Sequence, residues 1–517
     1  MSTLSLLSRF KTLHSLRPAR NVFTSSAPAN LSPATKSAKK NIDQLVFPVT
    51  ARSCISKDPT LPSVSTLDNG IRVVSDSIMG HFSAFGMYVD AGSRYETPAF
   101  AGASHILDRI AFKSTENLTE AQIKAQIEKF GGNVMSHSTR EVIHYQGTVY
   151  NYDLEHIAPL FAEIVRRPLF LQAELDEQKQ STGYEIQEIM SNPETYLPER
   201  LHEVAYKNNT LGKPLLCSPE TLPNVTSDML RGYVNQMFVP ERIVIAASGA
   251  PHDAIVELAQ KHFGDMKAPE APAPPKGLLS SLTNKLFSST FTPDITKAQY
   301  TGGLYLEEAP QEEFTQLIVG LEGVSVSEED LFPLATLQTL LGGGHSFSAG
   351  GPGKGIHSRL YRTVLNRYGW TNSCMAFNHS YRDSGLFGIM GSCPAGFNLD
   401  MLHVIGSSLS SVCDASRITD IELSRAKNQL KNNLLMNLES RLTRIEDMGQ
   451  QVLVTGKCLY ASDVCLRIEA LTKEDVADVA TRLFMNHKNP PSIVGYGQNL
   501  DTLQMAPSIL AKFGIGC

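Results

Sequence analysis

Just past its midpoint the chain runs through Ala268-Pro269-Glu270-Ala271-Pro272-Ala273-Pro274-Pro275-Lys276. Proline lacks a backbone N–H and holds φ fixed, so a stretch this dense in it continues neither a helix nor a central strand. Residues 268–299 therefore read as a linker, and the sequence on either side must fold as two bodies, 41–267 and 300–517. The order of elements restarts beyond the linker. Thr226 to Phe238 and Thr472 to Phe484 have identical spacing, each reads as a helix, and each leads to a strand ending near a glycine, Gly249 or Gly497. The halves are expected to be repeats of one α+β unit, each a mostly antiparallel sheet flanked by helices.

Within the first half, residues 70–75 and 84–90 read as strands bounded by Asn69-Gly70 and Gly92-Ser93. A helix follows from about Ala101. A strand is expected at 142–149, helices at 154–165 and 173–190, the latter stopped by Asn192-Pro193, then a helix at 227–237 and a strand at 243–248. The second half supplies a strand at 316–321, a helix at 329–341, strands near 370–376 and 385–390, and several long helices.

Before Asp43 there is no acidic residue, while Arg9, Lys11, Arg17, Arg20, Lys36, Lys39 and Lys40 all precede it. Leu4, Leu6, Leu7, Phe10, Leu13 and Leu16 interleave with this charge, a pattern that reads as a mitochondrial presequence over residues 1–40 with its cleavage point open. Without it the formal charge moves from −6 to −13. So acidic a body disfavours nucleic acid and suits basic peptides. No run approaches the roughly 18 apolar residues of a membrane span. The eight cysteines contain no CxxC pair, which argues against a zinc ribbon or a dithiol redox site.

The helix after Ala101 carries His105-Ile106-Leu107-Asp108-Arg109, and a later long helix carries Glu185 and Glu188. Residues i, i+3 and i+4 share a helical face, so His105, Asp108 and Arg109 project together. The run resembles the inverted zinc motif HxxEH of the pitrilysin/insulinase metallopeptidase family. The resemblance implies His105 at the first ligand and Glu185, 76 residues after Arg109, at the distant carboxylate ligand. It also shows two departures. Asp108 stands where the general base belongs, one methylene short, and Arg109 replaces the second histidine with a group that only donates. A degenerate site without metal is expected, with Arg109 neutralised by Asp108 or Glu185, and no catalytic residue in this chain.

A second segment reads Gly342-Gly343-Gly344-His345-Ser346-Phe347-Ser348-Ala349-Gly350-Gly351-Pro352-Gly353-Lys354-Gly355, between an apolar helix and another helix beginning near Ile356. Its glycine density is expected to exclude both helix and strand. It is no phosphate loop, because Gly355 follows Lys354 where Ser or Thr is needed. Unpaired backbone groups and Phe347 could meet an extended peptide.

This segment, followed by His357-Ser-Arg-Leu-Tyr, is similar to the glycine-rich loop of the alpha-subunit family of mitochondrial processing peptidases. Gln299-Tyr-Thr-Gly-Gly, Gly320-Leu-Glu-Gly, Asn378-His-Ser-Tyr and Glu446-Asp-Met-Gly-Gln-Gln extend the similarity over the chain beyond the presequence. His345 departs from it, standing where a fourth glycine is expected. The resemblance implies a non-catalytic matrix subunit that binds basic amphipathic presequences over residues 342–355 and forms a heterodimer with a processing peptidase beta subunit, which holds the zinc. Glu307, Glu308, Glu312 and Glu313 are candidate carboxylates for presequence arginines. Two other readings compete: a structural core subunit of the cytochrome bc1 complex, against which the intact glycine-rich segment speaks, and an active zinc endopeptidase, which would need histidine at 109.

Overall fold

The computed structural model describes residues 61–207, 209–267, 295–346, 356–485 and 489–516. The expected presequence and residues 268–294 of the expected linker lie outside these.

The first half contains β1 (Ser63–Thr66), β2 (Arg72–Asp76), β3 (Phe82–Val89), β4 (Asn133–Ser138), β5 (Ile143–Tyr150) and β6 (Ile243–Ser248). Its helices are α1 (Ala103–Arg109), α2 (Glu120–Phe130), α3 (Leu154–Arg166), α4 (Gln172–Met190), α5 (Pro193–Tyr206), α6 (Ser227–Met237) and α7 (His252–Phe263). The second half contains β7 (Gly303–Glu308), β8 (Phe314–Glu322), β9 (Gly343–His345), β10 (Ser373–Ser380), β11 (Gly385–Pro394) and β12 (Ser492–Gly497). Its helices are α8 (Leu331–Leu341), α9 (Asn398–Ser411), α10 (Asp420–Leu438), α11 (Arg441–Thr455), α12 (Ala461–Ala470), α13 (Lys473–Phe484) and α14 (Ala506–Ala511).

The strand orders are β1-β2-β6-β3-β5-β4 and β7-β12-β8-β11-β10-β9. Five strands correspond. β2 with β6 and β7 with β12 are parallel pairs, and every other pairing is antiparallel. The sixth strand is added at opposite ends, β1 beside β2 and β9 beside β10. The repeat expected from Thr226 and Thr472 is present in detail. Each caps its helix, accepting from the N–H of Met229 or Asp475, and each following strand ends at a glycine with positive φ, Gly249 at +102° or Gly497 at +144°. Beside Gly497 a Cβ would lie 2.6 Å from the Thr315 backbone, so glycine is required for the sheet to close there.

One face of each sheet packs on its own helices. Phe85, Met87 and Ile245 meet Ile106, Phe161 and Leu230 in the first half, and Leu317, Val319 and Phe387 meet Leu334, Ile405 and Phe484 in the second. The other face is covered by a helix from the opposite half. Leu197, Leu201 and Tyr206 of α5 pack with Ile318, Phe377 and Val494 of the second sheet. Ile445, Met448 and Val452 of α11 pack with Val74, Tyr88 and Val244 of the first. Each covering helix follows a 19-residue helix, α4 or α10, after a two-residue break. Ion pairs cross the same junction: Arg94 with Asp383 at 2.8 Å, Arg382 with Asp90 at 3.1 Å, and Arg444 with Asp76.

Two expectations need correction. Asn192-Pro193 ends α4, but it also starts α5: Asn192 accepts from the Glu194 N–H, and Pro193 occupies the first helical position, where a missing N–H costs nothing. The glycine-rich segment is not wholly free of strand either, because Gly343–His345 forms β9. Only three residues are needed at a sheet edge. Gly343 has φ +91°, and a Cβ on it would stand 2.0 Å from the Cys374 carbonyl oxygen, so this pairing depends on glycine.

Candidate functional site

The short helix α1 starts where Gly102, at φ +82°, turns the chain against Cys217; a Cβ at Gly102 would lie 2.5 Å from Cys217 Sγ. Glu96 satisfies the start of the helix by accepting from the N–H groups of Gly102 (2.7 Å) and Ser104 (2.8 Å) and from the Ser104 hydroxyl (2.6 Å). Burial nevertheless pushes the Glu96 carboxyl up to about 7. The helix thereby presents His105, Asp108 and Arg109 toward α4.

The structure brings the four expected residues into one place. Arg109 Nε donates to Glu185 Oε2 at 2.8 Å while Nη2 bonds Oε1 of the same carboxylate, and Nη1 donates to Asp108 Oδ2 at 3.2 Å. Asp108 is buried and also accepts from the Ser138 N–H at 2.9 Å. These carboxylates hold the Arg109 pKa above its ordinary value against the opposing effect of burial. Glu188 is exposed on α4 and outside this cluster.

These residues do not fit a zinc ion. Both oxygens of the distant carboxylate are engaged by a guanidinium, which is a permanent cation without a lone pair to offer. His105 is equally unsuited. Its Nδ1 accepts the Cys217 N–H at 3.2 Å, so the neutral ring carries its proton on Nε2, the nitrogen left buried and without a partner. A ligating imidazole has the reverse arrangement, with its remote N–H donated to an acceptor. Burial and the Arg109 charge push His105 down to about 4, which keeps it neutral. The site binds its own cation. Among the described residues no group of three or more His, Cys, Asp or Glu side chains could hold a metal ion.

Of the glycine-rich segment, Gly342, Gly343, Gly344, His345 and Ser346 are described, while Phe347, Ser348, Ala349, Gly350, Gly351, Pro352, Gly353, Lys354 and Gly355 lie outside the described residues. The segment leaves α8 at Gly342 (φ +56°), where a Cβ would meet the Ser358 side chain at 2.4 Å. Its root is fixed by β9 on β10, by Ala376 N–H donating to Gly342 O at 2.9 Å, and by Ser346 N–H donating to Asn372 O at 2.9 Å. The helix expected near Ile356 begins a turn later and has one π-type stretch, Tyr361–Leu365.

The candidate carboxylates divide. Glu307 accepts from the hydroxyls of Tyr305 (2.6 Å) and Tyr196 (3.2 Å), and Glu308 accepts from the Leu500 N–H (2.7 Å). These two hold the end of β7 in place. Glu313 is exposed and Glu312 half-buried.

Residues 72–219 match the family described as Insulinase (Peptidase family M16), and residues 224–430 match the Peptidase M16 inactive domain. The mitochondrial-processing peptidase subunit alpha of Neurospora crassa is 41% identical over 91% of this chain and 91% of its own length. The chain belongs to the alpha-subunit family of mitochondrial processing peptidases. The subunits alpha of Solanum tuberosum and Homo sapiens are 35% and 33% identical, covering 86% and 85% of this chain and 83% and 82% of their own lengths. A protease from Helicobacter pylori shares the fold, with a TM-score of 0.71 over 85% of this chain and 99% of its own at 19% identity.

For a member of this alpha-subunit family, the sequence motif led to His105, Asp108, Arg109 and Glu185 but not to the groups that fix them. Cys217 lies 112 residues from His105. In the sequence it is one of eight cysteines without a CxxC partner, and it is the backbone N–H of Cys217 that sets the histidine tautomer. Glu96, which carries the start of α1, had no signal beyond following Arg94-Tyr95.

Proposed function

We propose that this chain is the non-catalytic, substrate-recognition subunit of a mitochondrial processing peptidase, binding presequences of imported precursors so that a zinc-bearing beta subunit removes them. The observation that carries the non-catalytic reading is the Arg109 guanidinium seated on Glu185. A peptidase of this type needs a metal to lower the pKa of its attacking water, and a guanidinium cannot do so. The names of the relatives support the partnership and a mitochondrial location, and the basic residues 1–40 support import into the matrix.

Recognition is assigned to Gly342–Gly355. A glycine-rich stretch has few side chains to obstruct its backbone, so it can offer N–H and C=O groups to an extended peptide irrespective of that peptide's side chains, which suits a varied substrate set. The charge of −13 beyond residue 40 draws basic presequences to the complex. The test is presequence-peptide cleavage by this chain alone, by a beta partner alone and by the mixture, with zinc measured in each. Activity in the mixture only, zinc on the partner, and lost peptide binding on deletion of 342–355 are expected. Zinc-dependent cleavage by this chain alone would overturn the proposal. An unaltered partner would favour a structural role in the cytochrome bc1 complex.

A further inference from the structure

Beside the root of the glycine-rich segment lies a small aromatic platform. Trp370, the chain's one tryptophan, stacks on Phe397 with ring centroids 5.0 Å apart and planes 2° from parallel. Tyr368 stands 5.4 Å from Trp370. Trp370 and Tyr368 are half-buried, their inner edges packed against the second core, while Phe397 and Leu399 are each 37% exposed. Asn372 ties the platform to the segment: its carbonyl accepts from Ser346 N–H at 2.9 Å and its own N–H donates to Ser392 O at 2.8 Å, on the strand that leads to Phe397.

We propose that Tyr368, Trp370, Phe397 and Leu399 receive the apolar face of a basic amphipathic presequence. This rests on the recognition reading above and adds a second contact to it. A backbone-rich loop accounts for binding an extended chain but not for a preference for amphipathic ones. The fourteen residues 342–355 contain a single large apolar side chain, Phe347. An apolar ligand face needs apolar surface elsewhere, and the platform lies where the segment departs. Aromatic faces suit varied ligands, because they accept leucine or phenylalanine by burial and arginine by cation–π contact without a shaped pocket. Asp400, exposed three residues after Phe397, puts a carboxylate on the rim for the ligand's basic face.

The test uses the heterodimer and a dye-labelled synthetic peptide of residues 1–24 of this chain, which carries Leu4, Leu6, Leu7, Leu13 and Leu16 with Arg9, Lys11 and Arg17. Subtracting the emission of a complex bearing Trp370→Phe isolates the Trp370 signal. Peptide binding should blue-shift that signal and shield it from acrylamide. Combined Phe397→Ser and Leu399→Ser, both at exposed positions, should weaken binding by roughly fivefold or more. A peptide with those leucines changed to serine should lose the difference between wild type and the double variant. Normal affinity with Trp370 emission unmoved and the double variant unaffected would overturn the platform and leave presequence recognition standing. A blue shift produced by the beta subunit alone, with nothing further from peptide, would also overturn it by assigning the surface to the partner. Failure of the peptide to bind the wild-type heterodimer at all would remove both readings.

Discussion

The backbone N–H of Cys217 donates to His105 Nδ1 at 3.2 Å, which leaves the proton of the neutral imidazole on the buried Nε2. Restoring the zinc motif by Asp108→Glu with Arg109→His is therefore expected to give far less than one equivalent of zinc. His105 would have to shed the Nε2 proton while its other nitrogen faces a donor. Metal analysis after dialysis against zinc checks this, and a stoichiometric, chelator-resistant ion would refute it.

Acid stability should carry the mark of two buried histidines. Burial pushes both His105 and His144 down to about 4, against about 6.5 in an unfolded chain. Between those values the unfolded chain takes up protons that the fold refuses. Their contribution is thus complete above pH 6.5 and falls as pH drops to about 4, by up to about 3 kcal/mol each. Glu96, raised to about 7, acts in the opposite sense, its contribution growing as pH falls from 7 toward its unfolded value. Denaturant unfolding at several pH values should show a shallower acid limb for His105→Asn and a steeper one for Glu96→Gln. Unchanged slopes in both would contradict these environments.

Gly449 lets α11 lie close on the first sheet, since a Cβ there would stand 2.4 Å from Tyr88 Cδ2. Tyr88 is fully buried, so the ring cannot yield outward. Gly449→Ala should cost about 1–3 kcal/mol through overpacking, despite favouring a helix by propensity. Leu201→Ala at the reciprocal contact should cost about 2–5 kcal/mol by leaving a cavity. Both should lower a single, still cooperative unfolding transition in calorimetry. Separate melting of the halves in the unsubstituted protein would argue against the exchanged packing.

Gly343→Ala should detach β9 from β10, because positive φ and the 2.0 Å approach to Cys374 O both exclude a side chain. The expected signature is faster amide exchange at Ala376 and Ser346, whose N–H groups bond across this junction. Global stability should change little, since only an edge is lost. Retained protection at both amides would show that the pairing tolerates a side chain.

The two halves and their class were legible because the determinants are local. Prolines mark the division, and Thr226 and Thr472 announce their helices by capping. The degenerate site was legible because spacing puts His105, Asp108 and Arg109 on one helix face, while the resemblance to the zinc motif supplied Glu185 and left Asp108 or Glu185 as the partner of Arg109; the structure engages both. The start of α5 is also marked locally, by Asn192 as cap, Pro193 at the first helical position and Glu194 in the first turn, but a proline directly after a long helix reads first as a stop, and the restart was overlooked. Long-range groups were not legible. The partner of His105 is set by how the chain returns past α1 after more than a hundred residues, which no local pattern records.

The exchange of α5 and α11 bears on how the chain is made. Synthesis delivers the N-terminal half first, and its sheet then presents Val74, Tyr88 and Val244 with no cover until residues 441–455 arrive. For that interval a greasy surface destined for the interior faces solvent. A newly delivered chain must be shielded by a chaperone or finish quickly, and truncation before residue 441 should yield aggregate instead of a soluble half.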